Sequence, residues 1–465
     1  MAKGNLNVQY ILIISLISAL GGLLFGYDWV VIGGAKPFYE RFFAINQQPA
    51  VQGWAVSCAL IGCIIGAVSS GRITDAIGRK KPLILSAALF TISALGTGLA
   101  NSLPWFIGYR IIGGLGIGLA STISPIYIAE LAPSRYRGRL VSLNQLTIVI
   151  GILAAQIINY LIAEPIPTGS TDQQITASWN GQFAWRWMFW METIPALAFL
   201  GLAFFIPESP RWLGKQVRWP DAMKTLRKVG GNTYAEAEQQ EIQLSLARKE
   251  HKQQIHLFTP DNRFVLLIGI ILAIFQQWCG INIVFNYADE IFSAAGYSIN
   301  DALFNIVITG VVNLVFTLVA IQTIDHWGRK KLLLFGSLGL AITYILLGYC
   351  YWADAKGIFA LSLVLIGIAV YAMSLAPVVW VVLAEIFPNR IRGTAMSIAT
   401  TALWIASFVL TYTFPILNSH LGTSGAFFLF SGICILGFLF IRKTLPETKN
   451  KSLEEIEEEL GLQQA

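Results

Sequence analysis

The chain has 465 residues, 55% of them hydrophobic and 12% charged, with a mean hydropathy of +0.62 and a formal charge of +6. Soluble domains carry about 25% charged residues, so the composition excludes an ordinary soluble enzyme or binding domain and requires segments that sit in lipid. The positive charge is no nucleic-acid signature, because it collects in loops between apolar runs. The five cysteines (Cys58, Cys63, Cys279, Cys350, Cys434) fall in apolar segments without metal-ligand spacing.

In chain order, the apolar runs predict twelve membrane spans. Spans 1 to 6 lie near residues 10–33, 51–71, 82–101, 104–128, 142–163 and 184–206. Spans 7 to 12 lie near 263–290, 301–324, 331–352, 357–384, 395–417 and 424–442. The first run is too long for a signal peptide, lacks a small-residue cleavage site and carries Asp28, so it reads as a span. All but five of the 32 Lys and Arg residues fall at the termini or in the loops after spans 2, 4, 6, 8 and 10. The five are Lys36, Arg41, Arg186 and Lys356 on the opposite side, and Arg110 inside span 4. By the positive-inside rule, an even number of spans then puts both termini in the cytoplasm.

The expected architecture is all-α and integral to the membrane. An N-terminal six-helix bundle takes residues 1–207 and a C-terminal one takes 263–443, with a cytoplasmic helical segment at 208–262 and a cytoplasmic tail at 444–465. In the segment between the bundles, Pro220 suits a first helical turn and Gly230 a stop. Thr233 and Glu236 fit a capping box that opens a second helix, and Ile242 and Leu246 share one face of it.

Charged motifs repeat between the halves. Asp75-Ala-Ile-Gly78-Arg79-Lys80-Lys81 returns as Asp325-His-Trp-Gly328-Arg329-Lys330-Lys331. Glu130-Leu-Ala-Pro133-Ser-Arg135-Tyr-Arg137-Gly138 returns as Glu385-Ile-Phe-Pro388-Asn-Arg390-Ile-Arg392-Gly393, and Pro207-Glu208 as Pro446-Glu447. Topogenic charge alone needs no carboxylate at these spacings, whereas carboxylate–guanidinium pairs at helix ends do. The expectation is a network across the two halves that shuts the cytoplasmic side until the bundle rocks. Its members are Asp75, Arg79, Glu130, Arg135, Arg137, Glu208 and Arg211 with Asp325, Arg329, Glu385, Arg390, Arg392 and Glu447.

Three ionisable residues lie inside spans of the first half: Asp28, Arg110 and Glu192. They sit about five, six and eight residues in from the outer ends of spans 1, 4 and 6, and at ~1.5 Å per residue these depths agree within a turn. An Arg between two carboxylates can switch partners when one takes a proton; a static interhelical pair is the alternative. Amides also enter the spans, which is costly in lipid and needs a reason: Gln145, Gln276, Gln277, Asn282 and Asn313. Each could serve an interhelical hydrogen bond or a ligand rich in hydroxyls. Gln277 and Asn282 point about 140° apart on a regular helix, so a shared ligand requires a bend, and Gly280 stands between them. No nucleophile–base pair, metal cluster or phosphate loop appears, so neither catalysis nor a metal or cofactor is expected.

Taken together these motifs resemble the sugar porters of the major facilitator superfamily over essentially the whole chain. The resemblance rests on the Asp-x-x-Gly-Arg loops, the Glu-x-x-x-x-Arg-x-Arg-Gly helix ends and Pro207-Glu208-Ser-Pro210-Arg211-Trp212. Gln276-Gln277-Trp-Cys-Gly280-Ile-Asn282 and Pro446-Glu447-Thr448-Lys449 complete it. It implies that Gln145, Gln276, Gln277, Asn282 and Asn313 contact sugar, with Trp380 and Trp404 as stacking or lid aromatics. It also implies that Asp28 and Arg110 match the proton-coupling pair of the family's xylose–proton symporters, and Glu192 a carboxylate of their span 6. Animal facilitative members carry Asn at the position of Asp28. Asn286, Ala376, Leu403 and Asn450 depart from the family pattern, where Tyr, Gly, Gln or Asn, and Gly are usual, and Ile152 resembles the hexose carriers. The expected function is monosaccharide uptake by alternating access, as proton symport of a hexose or pentose. Facilitated diffusion and a non-transporting sensor are the alternatives. Its expected partners are a monosaccharide, a proton and the lipid bilayer, not nucleic acid, with the monomer as the working unit.

Overall fold

The structure, a computed structural model, describes residues 6–133, 136–167, 169–250, 260–355, 357–388, 391–449, 451 and 455, and leaves aside the side chains of 245–250, 260, 261 and 325. The described residues form helices joined by short turns. Ten helices among them are long and apolar enough to cross a membrane. One of these, Arg392–Thr444, breaks at Gly422 (φ 67°) and supplies spans 11 and 12. Span 6 is the twelfth, built from a π-helical turn, Asn180–Ala184, and two short helices, Trp185–Trp190 and Thr193–Ala203. The chain is thus a multi-pass membrane protein of twelve spans in two six-helix bundles.

Spans 1 to 5 are Val8–Phe42, Pro49–Ile77, Lys80–Leu99, Leu103–Leu131 and Arg137–Ile162. Span 7 runs in three pieces, Pro260–Trp278, Ile281–Asn286 and Ala288–Ala294; spans 8 and 9 are Ile299–Trp327 and Arg329–Trp352. Span 10 is split into Ile358–Met373 and Leu375–Ile386 at Ser374 (φ −126°, ψ −85°). The cause is local: Pro377 has no N–H to give the carbonyl of Met373 and its ring crowds that turn. Leu85, Ile92, Leu161, Phe205, Leu338, Ile345 and Leu436 point outward, which is the surface that lipid covers.

The segment between the bundles forms a short helix, Pro210–Lys215, and then Trp219–Glu250. The latter bends at Gly230 and Gly231 (φ 77°), so two helices lie where the sequence predicts two. Trp212, Leu213 and Ala222 pack with Trp219, and Leu226, Ala235 and Ile242 form a second small core. The side chain of Leu246 lies outside the described residues. The Asn7 amide donates to the Val229 carbonyl at 2.8 Å, tying the start of span 1 to this segment. The end of the bundle that carries it also carries the repeated motifs and is called the motif end here; the other is the outer end.

Candidate transport site

The three ionisable residues of the first half meet. Arg110 is 2% exposed; its Nη1 donates to Asp28 Oδ1 and its Nη2 donates to the Asp28 carbonyl at 3.3 Å. The guanidinium also lies 5.5 Å from the Phe189 ring. Glu192 is fully buried, with Asp28 and Arg110 as its charged neighbours. Both its oxygens lack a hydrogen-bond donor among the described residues. The break of span 6 puts it there: Met191 and Glu192 form the turn between two helical pieces. Two carboxyls and one guanidinium in a dry site form a group whose charge balances only if a proton joins it.

Span 7 bends where the amides require it. Gly280 adopts a left-handed conformation (φ 87°) between Trp278 and Ile281, a conformation nearly closed to residues with a Cβ. The bend brings Asn282 round, and its Nδ2 donates to Gln277 Oε1, while Gln277 Nε2 donates to Gln276 Oε1 at 2.9 Å. Gln276 Nε2 reaches the Ala376 carbonyl at 3.5 Å, beside the break in span 10. Three of the five predicted amides therefore form one chain. The other two stand on separate helices, Asn313 buried in span 8 and Gln145 half-buried in span 5; Trp380 is half-buried in span 10.

Trp404 lies between the halves. Its ring centroid is 5.8 Å from Phe25 and 5.9 Å from Trp29, both of span 1, and its indole N–H is buried without an acceptor among the described residues. Leu403 beside it is also buried. Asn286, likewise buried with an unpartnered carbonyl oxygen, lines a cavity of about 10 Å³ with Trp29 and Arg110. That space holds roughly one water, next to both Arg110 and span 7.

The repeated motifs make the same brace twice, each within its own half. Arg79 Nη2 donates to Glu130 Oε1 at 2.8 Å, and Arg329 Nη2 to Glu385 Oε1 at 3.1 Å. Ser209 Oγ donates to Glu130 Oε2 at 2.5 Å, and Thr448 Oγ1 to Glu385 Oε2 at 2.6 Å. Glu208 accepts from the Arg79 amide at 2.8 Å and Glu447 from the Arg329 amide at 2.8 Å. Each carboxylate sits at the N-terminus of a helix, span 3 or span 9, where the unpaired amides and the helix dipole favour it. Gly78 (φ 90°) and Gly328 (φ 91°) make the turns, and a Cβ on either would strike the carboxylate of Glu208 or Glu447.

The expected network across the halves would shut this end; in the state described, these pairs run within each half. The pairs of Arg79, Glu130, Glu208, Arg329, Glu385 and Glu447 join spans of one bundle, because each Glu meets the helix end next to it in its own repeat. Asp75 does not pair with the Arg of its motif but with Lys215 at 3.1 Å, both of them exposed. Arg137 and Arg211 face Glu238 of the helical segment, whose carboxyl is pushed above its ordinary value by burial and by Glu241 against those arginines. Arg392 Nε donates to the Phe387 carbonyl at 3.2 Å. Arg135 and Arg390 and the side chain of Asp325 lie outside the described residues.

A model of the family described as "Sugar (and other) transporter" matches residues 14–460. The chain belongs to this family. It is 42% identical to the D-xylose-proton symporter of Escherichia coli, across 97% of this chain and 96% of that protein. It is 39% identical to a glucose transport protein of a Synechocystis strain, across 98% of both. The structure is similar to that of the E. coli xylose transporter in a partially occluded inward-open conformation, with a TM-score of 0.84 and 41% identity, covering 96% of this chain and all of that one. The family is one of transporters, not enzymes.

Sequence reading of the family motifs missed what joins the two halves. Phe25 and Trp29 clasp Trp404; Gln156 Nε2 lies 3.4 Å from Thr309 Oγ1; Asn300 and Ile166 exchange two hydrogen bonds at 3.1 Å. At the outer end Lys36 meets Asp289 and Glu290. One signal was visible for the last of these. Lys36 is one of the few basic residues on the side that the positive-inside rule leaves nearly free of them.

Proposed function

We propose that this chain takes up a monosaccharide by alternating access in symport with a proton, the sugar being a hexose or a pentose. The names of its relatives, a xylose–proton symporter and a glucose transport protein, support both the coupling and that range. The observation that carries the coupling is the buried group of Asp28, Arg110 and Glu192. A proton that binds the Asp28 carboxylate forms an O–H bond where Arg110 Nη1 donates, so the guanidinium is freed to turn to the unpartnered oxygens of Glu192. When the same proton leaves Asp28 on the other side, Arg110 returns. Asn286 of span 7 and its small cavity adjoin this exchange.

Gln276, Gln277 and Asn282, with Gln145 and Asn313, present amides that both donate and accept, which suits sugar hydroxyls. Trp380 and Trp404 offer apolar faces to the ring, and the free indole N–H of Trp404 is a further donor. The braces keep each half rigid while residues 1–207 and 263–443 rock against each other, with 208–262 and 444–465 beneath them. Both termini face the cytoplasm of a cell membrane in this reading, and one chain suffices. The ties between the halves in the middle and at the outer end then correspond to a state that faces inward.

The test is uptake of labelled xylose and glucose into proteoliposomes with and without an imposed proton gradient. Wild-type protein accumulates sugar above the outside concentration only with the gradient. Asp28→Asn is expected to abolish accumulation and keep sugar exchange; full uphill uptake by that variant would remove the proton role. Gradient-independent equilibration by the wild type would identify facilitated diffusion instead.

A further inference from the structure

Lys36 carries a full charge in span 1 and is 1% exposed. A buried ammonium is stable only where carboxylates surround it, and here they come from both halves. Its Nζ lies 3.3 Å from Glu40 Oε1, one turn further along span 1. It lies 2.5 Å from Glu290 Oε1 and 3.5 Å from Asp289 Oδ2, both on the last piece of span 7 in the opposite half. The ammonium also stands 5.4 Å from the Tyr287 ring. Asn418 Nδ2 donates to Glu290 Oε2 at 3.1 Å, and Gln52 Nε2 to Glu40 Oε2 at 2.9 Å. The cluster therefore ties spans 1 and 2 to spans 7 and 11.

The surrounding backbone is closed to the same degree. A Cβ on Gly33 would stand 2.6 Å from the Phe285 carbonyl, and one on Gly53 would stand 2.2 Å from that of Tyr412. Moving the halves apart at the outer end must take Asp289 and Glu290 from Lys36. Two features make that separation feasible within a working cycle. The carboxylates ride on Ala288–Ala294, a piece of span 7 set off from the rest at Tyr287 (φ −125°, ψ 29°), so it can swing without unfolding the sugar-binding part. A cavity of about 470 Å³ lined by Lys36, Glu40, Asp289, Glu290 and Asn418 adjoins the cluster, so water can replace each partner as it leaves.

We propose that Lys36 is a positioning residue of the transport cycle: an outer latch that holds the inward-facing state by binding carboxylates of the opposite half. The proposal rests on the alternating-access reading above. It places an ionic tie between the halves at the end opposite the repeated charged motifs, whose Arg79–Glu130 and Arg329–Glu385 pairs each join spans of one half.

The test uses the full chain in lipid nanodiscs without sugar, with spin labels at Gln47→Cys and His420→Cys in a Cys350→Ser background, and reads the distance distribution across the outer end. Lys36→Met is expected to shift population from the short to the long distance by at least fivefold, and Glu290→Gln to shift it in the same direction from the other half. Lys36→Arg is expected to keep the short distance. The exchange of charges, Lys36→Glu with Glu290→Lys, is expected to restore the short distance that either change alone loses. A distribution unchanged in both neutralising variants overturns the latch, as does an exchange variant no closer to wild type than its single parents. The distances are measured without transport, so failure of sugar uptake in the wild type would remove the transport reading while leaving this result to stand separately.

Discussion

Trp404 shows how much a single side chain can carry at this site. Its ring is held by Phe25 and Trp29, while its N–H is buried and unpartnered among the described residues. A buried donor without an acceptor costs free energy until a ligand supplies one. Trp404→Phe keeps an aromatic face and removes the donor, and is expected to weaken sugar binding roughly fivefold to thirtyfold, or ~1–2 kcal/mol. Equilibrium binding of sugar to the purified protein measures this, and unchanged affinity would move the indole N–H out of the sugar site. The residue types at the site were legible in the sequence because Asp, Arg and amides inside apolar spans are conspicuous. Their partners were less so. Glu130 could be matched with Arg79 only when the fold set spans 2 and 4 side by side, and Lys36 found its carboxylates more than two hundred and fifty residues away.

At the scale of elements, the sequence was most informative where it required a departure from regular helix. The angle between Gln277 and Asn282 demanded a bend, Gly280 allowed it, and the structure puts the bend there with the two amides joined. The break in span 10 has an equally local cause in Pro377. Span 6 breaks in the same way: Pro195 has no N–H to give the carbonyl of Met191, and the turn at Met191 and Glu192 sets Glu192 beside the ion pair. Gly280→Ala puts a Cβ into a left-handed residue, which costs ~1–2 kcal/mol, and 2.7 Å from the Phe430 ring. The expected outcome is a lower unfolding temperature together with weaker sugar binding, since straightening span 7 would part Gln277 from Asn282. Thermal unfolding with and without sugar separates the two effects, and a variant that keeps the full stabilisation by sugar would show that the bend does not serve the ligand.

For the whole molecule, the two halves repeat their braces and differ in their chemistry. The first holds the ionisable group and Gln145 and the second holds the amide chain and Trp404, so in the proposed function the coupling of proton to sugar involves the interface between them. That interface is closed at the outer end as well, where Gly53 of span 2 meets the backbone of span 11. A larger side chain there has no room in the state described, but it has room once the outer end opens. Gly53→Leu should thus exclude the inward-facing state and leave an outward-facing one that binds sugar without releasing it inside. Uptake into proteoliposomes is expected to fall more than about tenfold, corresponding to at least ~1.4 kcal/mol against closure, while sugar binding from the outer side persists. Near-wild-type uptake would mean that the halves pass each other without closing at Gly53, and that the contact belongs to one resting state rather than to the cycle.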